Sequence, residues 1–294
     1  MELYVAPVMP SSNIQKNAVK ETLRKYNYLF NKPYTNLKAN QVNKYPNKIW
    51  TFWHQEESEA PVYIRRCIES MRKHSCGREV IVLNAKNIKD YIDIPENIMV
   101  AFNSGNILPG TFVNILAAFL LYEYGGTFFN STMYLSDAPK EFFDLDFEPS
   151  LILSKKNRRE CTSNHLMAMY MHHVKEPGHY YFYTLRQFAI DHAKNFKYYW
   201  PYYIFENFAS VFYEEDARFY KIVNDMVDNN KVIHNIYGTQ SIQTLKKLLP
   251  VKYNKQFWNL LKSKTKIHKL TVNAMNKKYS PGSLLDKLIR DELD

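Results

Sequence analysis

Short apolar runs alternate with amphipathic stretches through the first half of the chain, and that alternation sets the expected fold. Residues 48–55, KIWTFWHQ, form a brief β-rich apolar run ending in polar side chains. This is the profile of a buried strand that carries His54 and Gln55 to its C-terminal tip. Pro61 then opens VYIRRCIESMRKH, in which Ile64, Cys67, Ile68 and Met71 fall on one helical face. REVIVLN, residues 78–84, reads as a second buried strand, and residues 87–91 as a short helix closed by Ile94 and Pro95. Strand, helix, strand at this spacing is a βαβ unit, so a parallel sheet and an α/β class are expected.

Residues 111–124, TFVNILAAFLLYEY, are apolar at helical period and stop at Gly125 and Gly126. TFFNSTMYL should follow as one strand carrying Asn130, Ser131 and Thr132, and SLILS, residues 150–154, as another that runs into Lys155, Lys156, Asn157, Arg158 and Arg159. Near the start, Ser11 and Ser12 precede a segment reaching about Phe30 in which Ile14, Val19, Leu23, Tyr26 and Phe30 recur with Lys and Arg between them. That is a capped amphipathic helix, packed on the body or laid on anionic lipid. Beyond Thr162 the pattern turns mostly helical and very aromatic, and the adjacent His172 and His173, read as helical, point too far apart to chelate one metal. IHKLTVN and a short helix from about Ser283 follow towards the end. The chain thus divides into an N-terminal helix and connector (1–46), a sheet-forming half (47–160) and a helical, aromatic-rich half (161–294).

Composition narrows the class. In 294 residues, 46% are hydrophobic and 23% charged, which excludes a disordered or fibrous chain. No run approaches the roughly 18 apolar residues of a membrane span. Eight glycines, with no GxGxxG and no Walker A string, disfavour repeated glycine phosphate loops. Thirty-nine basic against 29 acidic residues give +10 and favour anionic partners. The basic residues read as spread along the chain, from Lys16, Lys20, Arg24 and Lys25 to Lys262, Lys264, Lys266 and Lys269, with no zinc-finger, RRM or basic-zipper signature, so nucleic acid is not an expected partner. Cys67, Cys76 and Cys161 are odd in number and lack CxxC spacing, and residues 1–16 lack the build of a secretory signal, so a cytoplasmic setting is expected.

Taken together and in order, KIWTFWHQ, the helix running into LLYEYGG, the strand after it and IHKL resemble the capsular-polysaccharide-synthesis glycosyltransferases, relatives of the family 32 sugar transferases with a GT-A fold, over roughly residues 46–290. The resemblance implies bacterial surface-polysaccharide assembly, with a GT-A-like nucleotide-sugar-binding domain and a helical C-terminal portion. It further implies a nucleotide-diphosphate sugar, UDP-sugar foremost, at the C-terminal ends of the parallel strands, Mn²⁺ or Mg²⁺ on an acidic motif after the Gly-Gly turn, and a saccharide acceptor, free or lipid-linked. On these positions the donor contacts are His54, Gln55, Asn114, Gly125, Gly126, Asn130, Thr132, Arg158, Arg159 and Lys269. Asp137 and His268 are the candidate catalytic groups, with Asp144 and Asp146 beside the first.

The departures from the family pattern are as informative. Where the family writes Ser-Asp-x-x-Arg before the Gly-Gly, this chain has Val113, Asn114 and Ala117, and the metal-binding Asp is Asn130. A third acidic position aligns with Pro201. Asn offers a carbonyl oxygen to a cation but no negative charge. Two readings follow: metal-independent transfer, with cations such as Lys155, Lys156, Arg158, Arg159 and Lys269 neutralising the diphosphate, or a GT-A-fold binding subunit that partners an active transferase. In either case the positive charge would hold the protein near anionic headgroups at the inner face of the membrane.

Overall fold

The structure is a computed structural model that describes residues 20–30, 33–38, 41–148, 169–195, 204–229, 248–270 and 279–293. The expected helix start at Ser11, the strand over 150–154, the cationic run with Arg158 and Arg159, and Pro201 lie outside the described residues.

The βαβ unit is present. β1 (Ile49–Phe52) runs parallel to β2 (Val80–Leu83), with Ile49 opposite Val80 and Phe52 opposite Leu83. α1 (Val62–Lys73) crosses between them, and Ile64, Cys67, Ile68 and Met71 are all fully buried, as their spacing requires. Two helices follow, α2 (Ile88–Tyr91) and α3 (Glu96–Asn103), and then α4 (Pro109–Tyr124). Every side chain of α4 from Thr111 to Tyr122 is buried, which explains why its sequence is apolar on all sides instead of striped.

Gly125 and Gly126 turn α4 into β3 (Gly126–Phe129) with φ of 65° and 89°, backbone angles that L side chains rarely adopt. A Cβ on Gly126 would also run into the Lys48 carbonyl oxygen. β3 can therefore lie against β1, Ile49 facing Thr127, while Trp50 Nε1 donates to the Gly125 carbonyl at 3.1 Å.

Past β3 come β4 (Met133–Leu135), α5 (Lys140–Phe143), β5 (Phe147–Glu148) and β6 (Met171–Val174). The central sheet has the order β2-β1-β3-β6-β5. β6 is antiparallel to both β3 and β5, so four of these strands share one direction and β6 alone opposes it. The fold is mixed α/β with a mostly parallel central sheet. Among the described residues no helix is long and apolar enough to cross a membrane.

Two expectations are corrected. TFFNSTMYL is not one strand: it breaks at 130–132, because Asn130 Oδ1 accepts hydrogen bonds from the Thr132 amide (3.2 Å) and hydroxyl (3.0 Å). A side chain bonding two residues on mimics a backbone turn. β4 therefore leaves the central sheet and pairs with β7 (Ile267–Lys269). His172 and His173 lie on strand β6, not on a helix, so they face opposite sides of the sheet. His173 Nε2 donates to the Leu145 carbonyl at 2.9 Å while Nδ1 accepts from the Thr127 hydroxyl at 2.8 Å. Burial pushes this ring down to about 4, so it is a neutral, satisfied core histidine.

The remainder is mostly helical: α6 (Tyr180–Asn195), α7 (Ile204–Glu215), α8 (Ala217–Asn229), α9 (Lys255–Lys264) and α10 (Leu284–Ile289). Most of the described aromatic residues here are core. Phe188 stacks on Phe208 at 3.9 Å, and Phe212 on Phe219 at 4.1 Å. Residues 20–24 are helical and are tied to α7 by Lys20 with Glu214 and by Arg24 with Glu215 at 2.7 Å.

Gly126→Ala should lower unfolding stability by more than about 1 kcal/mol, since both the backbone angle and the Lys48 carbonyl oppose a side chain; denaturant unfolding measures it. Glu206 on α7 is enclosed, with Oε2 unpartnered among the described residues, and burial pushes its carboxyl up to about 8. The folded state thus holds a proton that the unfolded chain releases, and stability falls as pH rises from the ordinary carboxyl range through 8. Glu206→Gln should raise the melting temperature by several degrees at pH 8 and leave it nearly unchanged at pH 4, as read by thermal unfolding at the two pH values.

Candidate functional site

In an open α/β sheet, ligands are received beyond the C-terminal ends of the parallel strands. Here the tips of β1 and β3 differ in kind. Beyond β1, His54 and Gln55 are exposed, the His54 carbonyl accepts the Ala85 amide at 3.1 Å, and the His54 ring lies 5.6 Å from that of Phe102. Phe102 stacks on Phe112 at 3.8 Å, so the β1 tip is backed by aromatic surface.

The β3 tip is polar. The turn at 130–132 closes on itself through Asn130 Oδ1, and β7 is drawn alongside it: Met133 faces Lys269, and the Leu270 amide donates to the Thr132 carbonyl at 2.8 Å. This register brings the Lys269 ammonium onto the Thr132 hydroxyl, to which it donates, and the hydroxyl in turn donates to Asn130 Oδ1. The Tyr170 ring lies beneath the ammonium at 5.7 Å, supplied by the loop whose carbonyl accepts the Asn130 amide at 2.8 Å. Asn130, Thr132 and Lys269 therefore form one chain of donors and acceptors at the edge of the sheet. Burial pushes the Lys269 amine down to about 7, and the nearby Cys67 thiol on α1 partly opposes the shift.

The remaining expected residues are distributed elsewhere. Gly125 and Gly126 stand at the opposite end of β3 from Asn130, a strand length of roughly 13 Å away, and their visible role is steric. Asn114 is buried within α4 together with Val113 and Ala117. His268 faces away from Lys269, as strand alternation demands. Its Nε2 bonds the Ser136 hydroxyl at 2.8 Å, its ring packs on Trp258 at 5.4 Å, and burial drives it down to about 3. Asp137 is exposed and lies 4.0 Å from Lys266. Sequence reasoning gave no sign of Tyr170 or Cys67 beside this cluster; the polar triplet Asn130-Ser131-Thr132 was the signal that a turn stood there.

A divalent cation does not fit these residues. Hard cations are held by several converging oxygens, usually with carboxylates among them, whereas Asn130 Oδ1 already accepts two hydrogen bonds and the adjacent group is a lysine amine. Among the described residues no group of three His, Cys, Asp or Glu side chains could hold a metal. What the arrangement can do is offer an anion the remaining N–H groups of Lys269, with the ammonium held in place by Thr132 and Tyr170.

The carbon shift of the Lys269 Cε should titrate with a midpoint of about 7 in NMR of lysine-labelled protein, and the signal should vanish in Lys269→Gln; a midpoint at the ordinary lysine value would refute the buried placement.

No curated protein matches this sequence. The family model described as capsular polysaccharide synthesis protein matches residues 4–288, nearly the whole of the chain, and this protein belongs to that family.

Proposed function

We propose that the protein is a glycosyltransferase of capsular polysaccharide synthesis that binds a nucleotide-diphosphate sugar at the β3 tip and passes the sugar to a saccharide acceptor, free or lipid-linked. The observation that carries this reading is the cluster of Asn130, Thr132 and Lys269 on the sheet edge where an α/β fold receives its ligand, in a chain of this family. In the transfer, an acceptor hydroxyl oxygen bonds to the anomeric carbon and its proton passes to the departing diphosphate. The bond from that carbon to the diphosphate breaks, and the electron pair leaves on the phosphate. Charge grows on the leaving group, so a fixed donor beside it lowers the barrier.

Lys269 is the group that would meet that charge. An anion next to a desolvated amine favours its protonated form, so donor binding draws Lys269 back to the ammonium state. Thr132 orients it and Asn130 holds Thr132, so the three act without a metal. Arg158 and Arg159 stay candidate second contacts on the same diphosphate.

A second reading rests on the neutral amide at Asn130 and on the buried Val113, Asn114 and Ala117, which replace polar family positions. On it, the chain is a binding subunit that partners an active transferase.

Calorimetric titration with UDP and UDP-sugars separates them. The transferase reading expects binding in EDTA, less than about twofold changed by Mn²⁺, weakened about tenfold or more by Lys269→Gln, and accompanied by donor turnover when acceptor is supplied. Failure to bind any nucleotide in either buffer would leave only the second reading.

A further inference from the structure

Between Asp228 and Asp286 the sequence holds eleven lysines and no aspartate or glutamate. Of the 39 basic and 29 acidic residues in all, those outside this stretch number 28 and 29 and almost cancel, so the whole +10 resides here. The basic residues are therefore not spread in their effect, contrary to the reading of the sequence by positions alone.

Within this stretch, α9 buries only Trp258. Phe257 and Leu260, one turn apart, are 46% and 53% exposed, and Val251 just before the helix is 49% exposed. An apolar cavity of about 320 Å³, lined in part by Val251, Phe257 and Leu261, opens into the same face. Lys252 lines this cavity and Lys264 stands one turn beyond Leu260 on α9; both are exposed, and neither forms an ion pair among the described residues. Large apolar side chains held in solvent and flanked by unpaired lysines match the two layers of a membrane interface, in which acyl chains lie beneath anionic headgroups. A polyanion such as RNA would use the lysines and leave Phe257 and Leu260 without a partner.

We infer that the face formed by Val251, Phe257 and Leu260 with Lys252 and Lys264 docks this protein on a bilayer of anionic headgroups. β7 begins three residues after α9 ends, so docking brings the Lys269 edge close to the lipid surface. The inference is independent of the transferase reading, because vesicle binding needs no sugar donor.

Co-sedimentation of the full chain tests it, using phosphatidylcholine vesicles and vesicles with one third phosphatidylglycerol. Binding to the second and not the first is expected. Each lysine is worth about fivefold near such a surface, so Lys252→Gln and Lys264→Gln together should weaken it about twenty-five-fold. Phe257→Ser with Leu260→Ser should weaken it about tenfold or more with every charge kept, and circular dichroism should show an unchanged fold. Equal sedimentation with the two vesicle types, or no sedimentation with either, would overturn the proposal. So would wild-type binding by the Phe257→Ser, Leu260→Ser variant, which would identify a purely electrostatic surface of the kind that retains RNA.

Discussion

The pairing of β4 with β7 is the constraint on which the site depends. It joins residues more than 130 positions apart, and without it Lys269 would be a solvated lysine of ordinary basicity. The pairing is held from beneath by α1, whose Ser70 hydroxyl accepts the Leu135 amide at 3.0 Å and whose Cys67 and Met71 are fully buried. A two-stranded ribbon is marginal alone, so this one persists because a helix packs on it and its end is tied into the turn at Thr132. Fold stability and the placing of the amine are thus one problem with one solution.

The chemistry of the edge follows from the same register. A carboxylate at position 130 beside a lysine would form an ion pair and neutralise its charge. An amide there leaves the amine less compensated, and Thr132 fixes its direction without neutralising it. The neutral residue at 130 and the amine at 269 are therefore complementary.

Much of the fold could be read from residue order because its determinants are local. The α1 stripe of Ile64, Cys67, Ile68 and Met71, the uniform apolarity of α4 and the glycine stop after Tyr124 all state their burial within one or two turns. The break at Asn130 was harder, since flanking Phe129 and Met133 both favour strand and only the Asn-Ser-Thr triplet argues for a turn. His172 and His173 sit in an aromatic-rich region where periodicity does not separate strand from helix, and their strand is selected by pairing with β3. The candidate cluster could be named residue by residue but not assembled. Lys269 and Asn130 could be named from motifs, but nothing local tells that the first bonds through Thr132 to the second, or that Tyr170 lies under it. The concentration of charge was present in the text and hidden by counting lysines without counting the missing acids.

The separation in chain order between the turn and the strand that completes it has a consequence during translation. The sheet with α1, α4 and β3 can collapse while the ribosome is still adding the second half, but the β3 tip has no ammonium until residue 269 has emerged. At 5 to 20 residues per second that is a delay of about 7 to 28 seconds, during which the turn at 130–132 lacks the strand that completes it.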